Sequence, residues 1–329
     1  MTKVLVTGAS GFIAKHIVRQ LLEEGYEVRG SIRSDKRQAE IQALFPDADI
    51  EFVKLDLTKD EGWDVALEGI DVLMHTASPF PGGEPDDPMT LITPAVEGTT
   101  RALNAAHAAG VTRVILTSSC AAIYKDSAKA PGARSTEENW TDPNGANVGA
   151  YEASKTLAER KAWELAEQHG LRLTTINPGA VWGPAMDPNY GTSLELVEQF
   201  LNGEFPAYPN INLPAVDVRD VARMHVAAID NDDTIGERFA ANSGAIYLLD
   251  AAKALADAYP EKNMKVRKAP DFLIKIVGRF DKRMAQAAAN LGHNADVDAS
   301  KAERVMGFTY IPTTDALLAS ANYITAKAA

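Results

Sequence analysis

"VTGASGFIAKHIV", residues 6–18, follows directly on the apolar run "KVLV" and decides how the rest of the chain is read. The run before it has the length and β-branched content of a short buried strand, and "FIAKHIV" has the apolar spacing of a helix start. Between the two lie Gly8 and Gly11. Gly8 permits a tight turn, and Gly11 lets backbone approach a ligand at the positive end of the helix. Ala14 is small enough for that helix to pack close to the strand. The Gly-x-x-Gly-x-x-Ala spacing departs from Gly-x-Gly-x-x-Gly, yet each position meets the same physical demand, so the loop reads as a pyrophosphate cradle.

The same alternation continues outward. "EVRGSI" (27–32), "IEFVKL" (50–55), "DVLMHT" (71–76), "RVILTS" (113–118) and "RLTTIN" (172–177) are short apolar runs, with helix patterns near 11–24, 36–45, 89–109 and 151–169. Runs that read as buried on both faces belong to a covered parallel sheet. The expected fold class is therefore α/β, a Rossmann-type doubly wound parallel sheet with right-handed crossovers. After residue 183 "GPAMDPNYG" and "FPAYPNINLPAVD" read as loops, followed by helix patterns near 193–203, 217–230, 249–259, 271–292 and 313–327. This predicts a dinucleotide-binding domain over 1–182, with 217–248 contributing, and a smaller, mostly helical substrate-binding lobe over 183–329.

Composition narrows the partners. The chain has 329 residues, a net charge of -12, 46% hydrophobic and 24% charged residues. Such an acidic chain is poorly suited to nucleic acid or an anionic membrane, both of which require a basic surface. Cys120 is the only cysteine, so no intrachain disulfide forms, and it reads as a small buried residue at a strand end. The chain enters its first strand without a basic-then-apolar leader, and no apolar run approaches the ~18 residues that span a bilayer. A cytoplasmic location and a small-molecule partner are the expectation, with no metal expected. The oligomer is expected to be a monomer or a homodimer, the latter through helices near 89–109 and 151–169.

The end of the second strand selects the dinucleotide. An acid there would bind the adenosine ribose of NAD. Here Ile32 stands at that place, Arg33 follows, and Arg37 lies a helical turn further beside a solvated Lys36. Guanidinium groups suit a 2′-phosphate, so the expected cofactor is NADP(H). In "KLDLT", Asp56 and Leu57 stand where an adenine edge would be bonded and covered, although Asp56 serves equally as a cap for the next helix. His75 reads as a satisfied core residue, and the backbone of Thr76, Ala77 and Ser78 passes near the cofactor.

"RVILTSSCAAIY" brings Thr117, Ser118 and Ser119 to the carboxyl edge of the sheet, where doubly wound folds place their ligands. Some thirty residues later "YEASK" puts Tyr151 and Lys155 on one helical face. A second pair at that spacing, Tyr323 and Lys327, has no serine strand upstream and no "NPG" strand after it, and reads as a terminal helix surface. A tyrosine with pKa ≈ 10 is a weak acid–base group at neutral pH, and a lysine cation beside it is expected to lower that value. Tyr151 would protonate the alkoxide formed as hydride reaches a carbonyl, Ser119 would donate a second hydrogen bond, and Lys155 would also hold the nicotinamide ribose. Pro178 is expected to shape the wall behind the nicotinamide, and Val181 is expected in the cofactor site. Phe80, Tyr124 and Tyr190, with Trp182, are candidates for the substrate pocket.

In this order and spacing, "TGASGFIA", "DL", "TSS", "YEASK" and "NPGAVWGP" resemble the extended short-chain dehydrogenases/reductases. "VRGSIRS", "HTASP", "SKTLAE" and "VDVRDVARMHVAA" are similar to the branch of dihydroflavonol reductases and yeast-type aldehyde/methylglyoxal reductases, over about the first 230 residues. The resemblance implies Ser119, Tyr151 and Lys155 as catalytic triad. It also implies a cofactor site of Gly8, Ser10, Gly11, Phe12, Ile13, Arg33, Arg37, Asp56, Leu57 and Pro178. Three positions depart from the patterns: Ala95 stands where many members hold a relay water with Asn, Tyr124 where plant dihydroflavonol reductases carry Asn, and Glu-Ala-Ser between Tyr151 and Lys155 where cinnamoyl-CoA reductases have Cys-Tyr-Gly. NADPH-dependent reduction of an aldehyde or ketone is the expected activity. The alternatives are a nucleotide-sugar epimerase or dehydratase with tightly held NAD, which Arg33 disfavours, and a cofactor-sensing protein without turnover, which retention of Ser, Tyr and Lys disfavours.

Overall fold

Alternate residues of β1 (Lys3–Val6) face opposite ways: Val4 and Val6 enter one buried cluster and Leu5 another. A strand buried on both sides needs helices on both sides, and the computed structural model, which describes residues 1–78, 85–125, 133–280 and 282–328, has them. After β1 come α1 (Phe12–Glu23), β2 (Glu27–Ile32), α2 (Asp35–Leu44), β3 (Ile50–Lys54), α3 (Trp63–Leu67), β4 (Val72–His75), α4 (Met89–Ala108), β5 (Arg113–Thr117), α5 (Ala150–His169) and β6 (Arg172–Pro178). There follow β7 (Ala180–Trp182), α6 (Thr192–Leu201), β8 (Asn212–Asp217), α7 (Val218–Ala227), β9 (Glu237–Ala241), β10 (Gly244–Tyr247), α8 (Leu248–Ala258), α9 (Asp271–Val277), α10 (Lys282–Asn290), α11 (Ser300–Met306) and α12 (Thr313–Ala328).

The main sheet has seven strands in the order β3-β2-β1-β4-β5-β6-β9, every neighbouring pair parallel. Ile17, Val18 and Leu21 of α1 and Val221 and Met224 of α7 cover one face; Ala102, Leu103 and Ala106 of α4 and Ala162, Leu165 and Ala166 of α5 cover the other. Strand order reverses between β1 and β4, which opens a crevice at the carboxyl ends there.

Two local expectations are corrected. Asn212–Asp217, expected as loop, is β8, parallel to β7 and antiparallel to β10 in a second, three-stranded sheet. Its pairing partners are distant in sequence, so the prolines around it say nothing about them. The single helix expected over 271–292 is two, α9 and α10, broken after Val277; at Gly278 a Cβ would lie 2.9 Å from Met284 O, so the turn needs glycine to let the two helices meet. A third core, including Trp182, Phe200, Leu255 and Leu317, holds α6, α8 and α12 together. No helix among the described residues is long and apolar enough to cross a membrane.

Candidate active site

The glycine turn after β1 is built by close approach. Gly8 has φ +64, and a Cβ on it would lie 2.9 Å from Ala77 Cβ, so the segment after β4 lies directly against the turn. The Gly8 N–H donates to Ser31 Oγ at 2.9 Å and the Gly11 N–H to Gly8 O at 2.8 Å. Gly11 caps α1 without a side-chain hydrogen bond, which leaves the first-turn N–H groups at Phe12 and Ile13 to an anion. The Ser10 carbonyl accepts from Asn189 Nδ2 at 2.9 Å, tying this turn to the segment beyond β7.

Thr7 organises the neighbouring strand end. Its hydroxyl oxygen accepts the N–H groups of Thr76 and Ala77, both at 3.1 Å, and lies 3.0 Å from His75 Nδ1. The hydroxyl hydrogen is thus left for Nδ1, which makes His75 a neutral acceptor. Burial drives the same way and pushes its pKa down to about 3. His75 is the satisfied core residue expected, and the Thr76–Ser78 segment runs half-buried beside the glycine turn.

Arg33 is exposed beyond the end of β2, and among the described residues it has no ion pair or hydrogen-bond partner. Arg37 pairs with Glu40 at 2.7 Å, while Lys36, 82% exposed and 3.9 Å from Glu40, is solvated. Asp56 does not cap a helix, because α3 is capped at Gly62. Instead its Oδ1 accepts from the Thr58 N–H (3.0 Å) and hydroxyl (2.8 Å), which hold its pKa below the usual range, with a smaller contribution from Arg33. Leu57 is half-buried against Gly98 of α4.

The end of β5 and the first turns of α5 carry the groups expected to be catalytic. Thr117 Oγ1 lies 2.7 Å from His225 Nε2; since His225 Nδ1 can only donate to Val221 O (2.7 Å), the neutral ring accepts the Thr117 proton. Ser119 Oγ accepts from the Ala121 N–H at 3.1 Å and lies 3.4 Å from Pro178 O. The Tyr151 phenol is hydrogen-bonded to Ser119, and Lys155 Nζ sits 5.9 Å from the centre of the Tyr151 ring. Ser119, Tyr151 and Lys155, separated by up to 36 positions in sequence, converge here.

The phenol does not behave as the spacing alone suggested. Burial pushes Tyr151 up to about 12; the Ser119 hydrogen bond opposes this, and the nearby Glu152 carboxylate adds to it. Lys155 Nζ lies 5.9 Å from the ring centre, and its own pKa is lowered to about 8 by burial, against the pull of Glu159. The expected lowering of the tyrosine is therefore absent among the protein's own groups, because desolvation outweighs the neighbouring charge.

The remaining pocket candidates divide. Tyr124 is half-buried with its phenol pushed well up by burial and then by Glu152, with Tyr151 also acting on it, so it stands at the Tyr151 end of the site. Tyr190 donates to Glu198 at 3.0 Å and packs edge-on against Tyr323, half-buried against the core of the C-terminal lobe. Val181 and Trp182 are buried packing residues, in the sheet core and the lobe core respectively. Phe80 lies outside the described residues. Ala95 is buried in α4 and offers no polar group. Sequence reading missed Glu159, Arg238 and Asn177, a buried polar group behind the serine strand; Glu159 was detectable as the next position down the face shared by Tyr151 and Lys155.

Comparison with known proteins places this geometry. A family model described as the NAD dependent epimerase/dehydratase family matches residues 4–242. Cinnamoyl-CoA reductase 1 of Arabidopsis thaliana is 37% identical over 265 residues, covering 78% of this chain and 75% of that protein. Tetraketide alpha-pyrone reductase 2 of the same plant is 32% identical over 270 residues, covering 79% and 84%. Among solved structures, yeast methylglyoxal/isovaleraldehyde reductase Gre2 complexed with NADPH superposes with a TM-score of 0.83 at 28% identity, covering 99% of both chains.

Proposed function

Because this chain belongs to the NAD dependent epimerase/dehydratase family, the extended short-chain dehydrogenases/reductases, we propose that it reduces an aldehyde or ketone carbonyl to the alcohol with NADPH. The observation that supports this most is the Ser119–Tyr151 hydrogen bond, with Lys155 Nζ 5.9 Å from the centre of the phenol ring, at the carboxyl edge of the sheet. NADPH, when bound, supplies the hydride. Tyr151 keeps its proton at neutral pH and donates it as negative charge develops on the carbonyl oxygen. Ser119 donates a hydrogen bond to that oxygen and orients it. The Lys155 ammonium stabilises the phenolate left behind and holds the nicotinamide ribose.

Cofactor choice rests on the residues at the crevice. The close Gly8–Ala77 approach and the uncapped start of α1 suit a pyrophosphate. Arg33, exposed and unpartnered among the described residues, suits a 2′-phosphate; Arg37 joins it by sharing its contact with Glu40. On this reading residues 1–182, with 217–248, bind the cofactor and 183–329 bind the substrate, with Tyr124 beside the reacting carbonyl. The test is turnover of a panel of aldehydes, ketones and keto-esters by the purified protein with NADPH and with NADH. Turnover with a preference for NADPH of about tenfold or more is expected from a charge-assisted phosphate contact. Absence of turnover across the panel refutes the reading.

A further inference from the structure

Behind the serine strand lies a buried ion pair that touches none of the reacting positions. Glu159 of α5 is completely buried, and Arg238 of β9 donates to it from Nε at 2.7 Å and from Nη2 at 3.4 Å. The arginine is itself anchored, donating to the carbonyls of Glu137 (2.6 Å) and Asn139 (2.8 Å) and stacking 3.6 Å from the Trp140 ring centre. The carboxylate then reaches the strand ends. Ser118, next to Ser119, donates to Oε2 at 2.5 Å; Asn177, next to Pro178, donates to the same oxygen at 2.7 Å and to the Ser119 carbonyl at 3.2 Å. Thr175 and Trp163 approach Oε1 at 3.1 and 3.4 Å.

Such a pair is costly to bury and can often be replaced by apolar residues without loss of stability, so its presence here asks for another reason. Glu159 stands one helical turn beyond Lys155, on the same face of α5. We propose that Glu159 is a positioning residue for the reduction: held by Arg238, it clamps the ends of β5 and β6 that carry Ser119 and Pro178, and its charge keeps Lys155 an ammonium ion. This rests on the carbonyl-reductase reading. Glu159 is the carboxylate that acts on Lys155, whereas Glu152 acts on the Tyr151 and Tyr124 phenols. His75 of β4 and Cys120 are neutral at working pH, Tyr151 keeps its proton, and Glu137, bonded to the Ala240 N–H at 3.1 Å, is pushed up by burial. From α4, Ala102, Leu103 and Ala106 bring no charge to the shared packing.

The experiment is the pH profile of kcat/KM for NADPH-dependent reduction in wild type, E159Q, E159D and E159Q/R238M, the double variant removing both charges together. Loss of the Glu159 charge is expected to move the alkaline limb down by about one pH unit in E159Q, and by a smaller amount in E159Q/R238M, where the opposing Arg238 charge leaves with it. E159D, which keeps the charge, is expected to keep the wild-type limb. A folded neutral variant with an unshifted limb overturns the proposal, whatever its rate. A double variant that fails to fold also overturns it, since the pair would then serve the fold rather than Lys155. Failure of the underlying reading is a separate result, seen as wild type that turns over no carbonyl.

Discussion

At Tyr151 burial and the Ser119 hydrogen bond pull the phenol in opposite directions, and burial prevails, leaving its pKa at about 12. A neutral phenol is the form that reduction requires, whereas alcohol oxidation would first have to remove its proton. Replacing Tyr151 by Phe removes the acid and leaves the ring, so kcat for reduction is expected to fall by roughly 10³-fold, within the range of general acid catalysis. Wild-type turnover by that variant would remove Tyr151 from the mechanism. On the proposed reading, Lys155 sets the pH dependence. Its pKa, lowered to about 8 by burial, means the cation is present below that pH and lost as pH rises through it. Reduction is therefore expected to be level near neutrality and to decline above about pH 8; a rate that climbs through this window would contradict the role given to Lys155.

Elements place these side chains within tolerances that glycine sets. The turn from β6 to β7 passes so close to β8 that a Cβ on Gly179 would lie 2.3 Å from Pro214 O and 2.5 Å from its carbonyl carbon. Both are backbone atoms of a paired strand, and no side-chain rotation relieves them. The substitution Gly179→Ala is expected to destabilise the protein by on the order of 3 kcal/mol, read as a lowered urea midpoint, because either β8 or the Pro178 strand end must move. A midpoint equal to wild type would show that the turn gives way freely. "NPG" was legible as a motif; the reason for its glycine was not, because Pro214 is absent from any local window.

Across the whole molecule, the glycine turn is latched to the chain beyond β7. Lys15 of α1, 1% exposed, forms an ion pair with Asp187 and donates to Asn189 O at 2.9 Å, while Asn189 Nδ2 bonds Ser10 O. Burial lowers the Lys15 pKa despite the ion pair with Asp187, so the lysine depends on that partner to stay charged. Asp187→Ala is expected to cost about 3–5 kcal/mol of stability by stranding a buried cation, measurable by urea unfolding, and NADPH is expected to bind more weakly as the Ser10 turn loosens. Unaltered stability and affinity would make the latch ornamental.

The parallel sheet, the glycine turn, the acid-free end of β2 and the Ser119, Tyr151 and Lys155 positions were all readable from sequence. Each depends on short-range geometry: strand and helix periods, a glycine's freedom, a four-residue helical turn. Tertiary structure alone decided that Trp182 belongs to a core and Tyr190 packs against it, that β8 is a strand, and that Glu159 meets Arg238 across 79 positions. It also decided the direction in which Tyr151 titrates. Desolvation depends on everything packed around a group, and that sum exists only once distant segments have met.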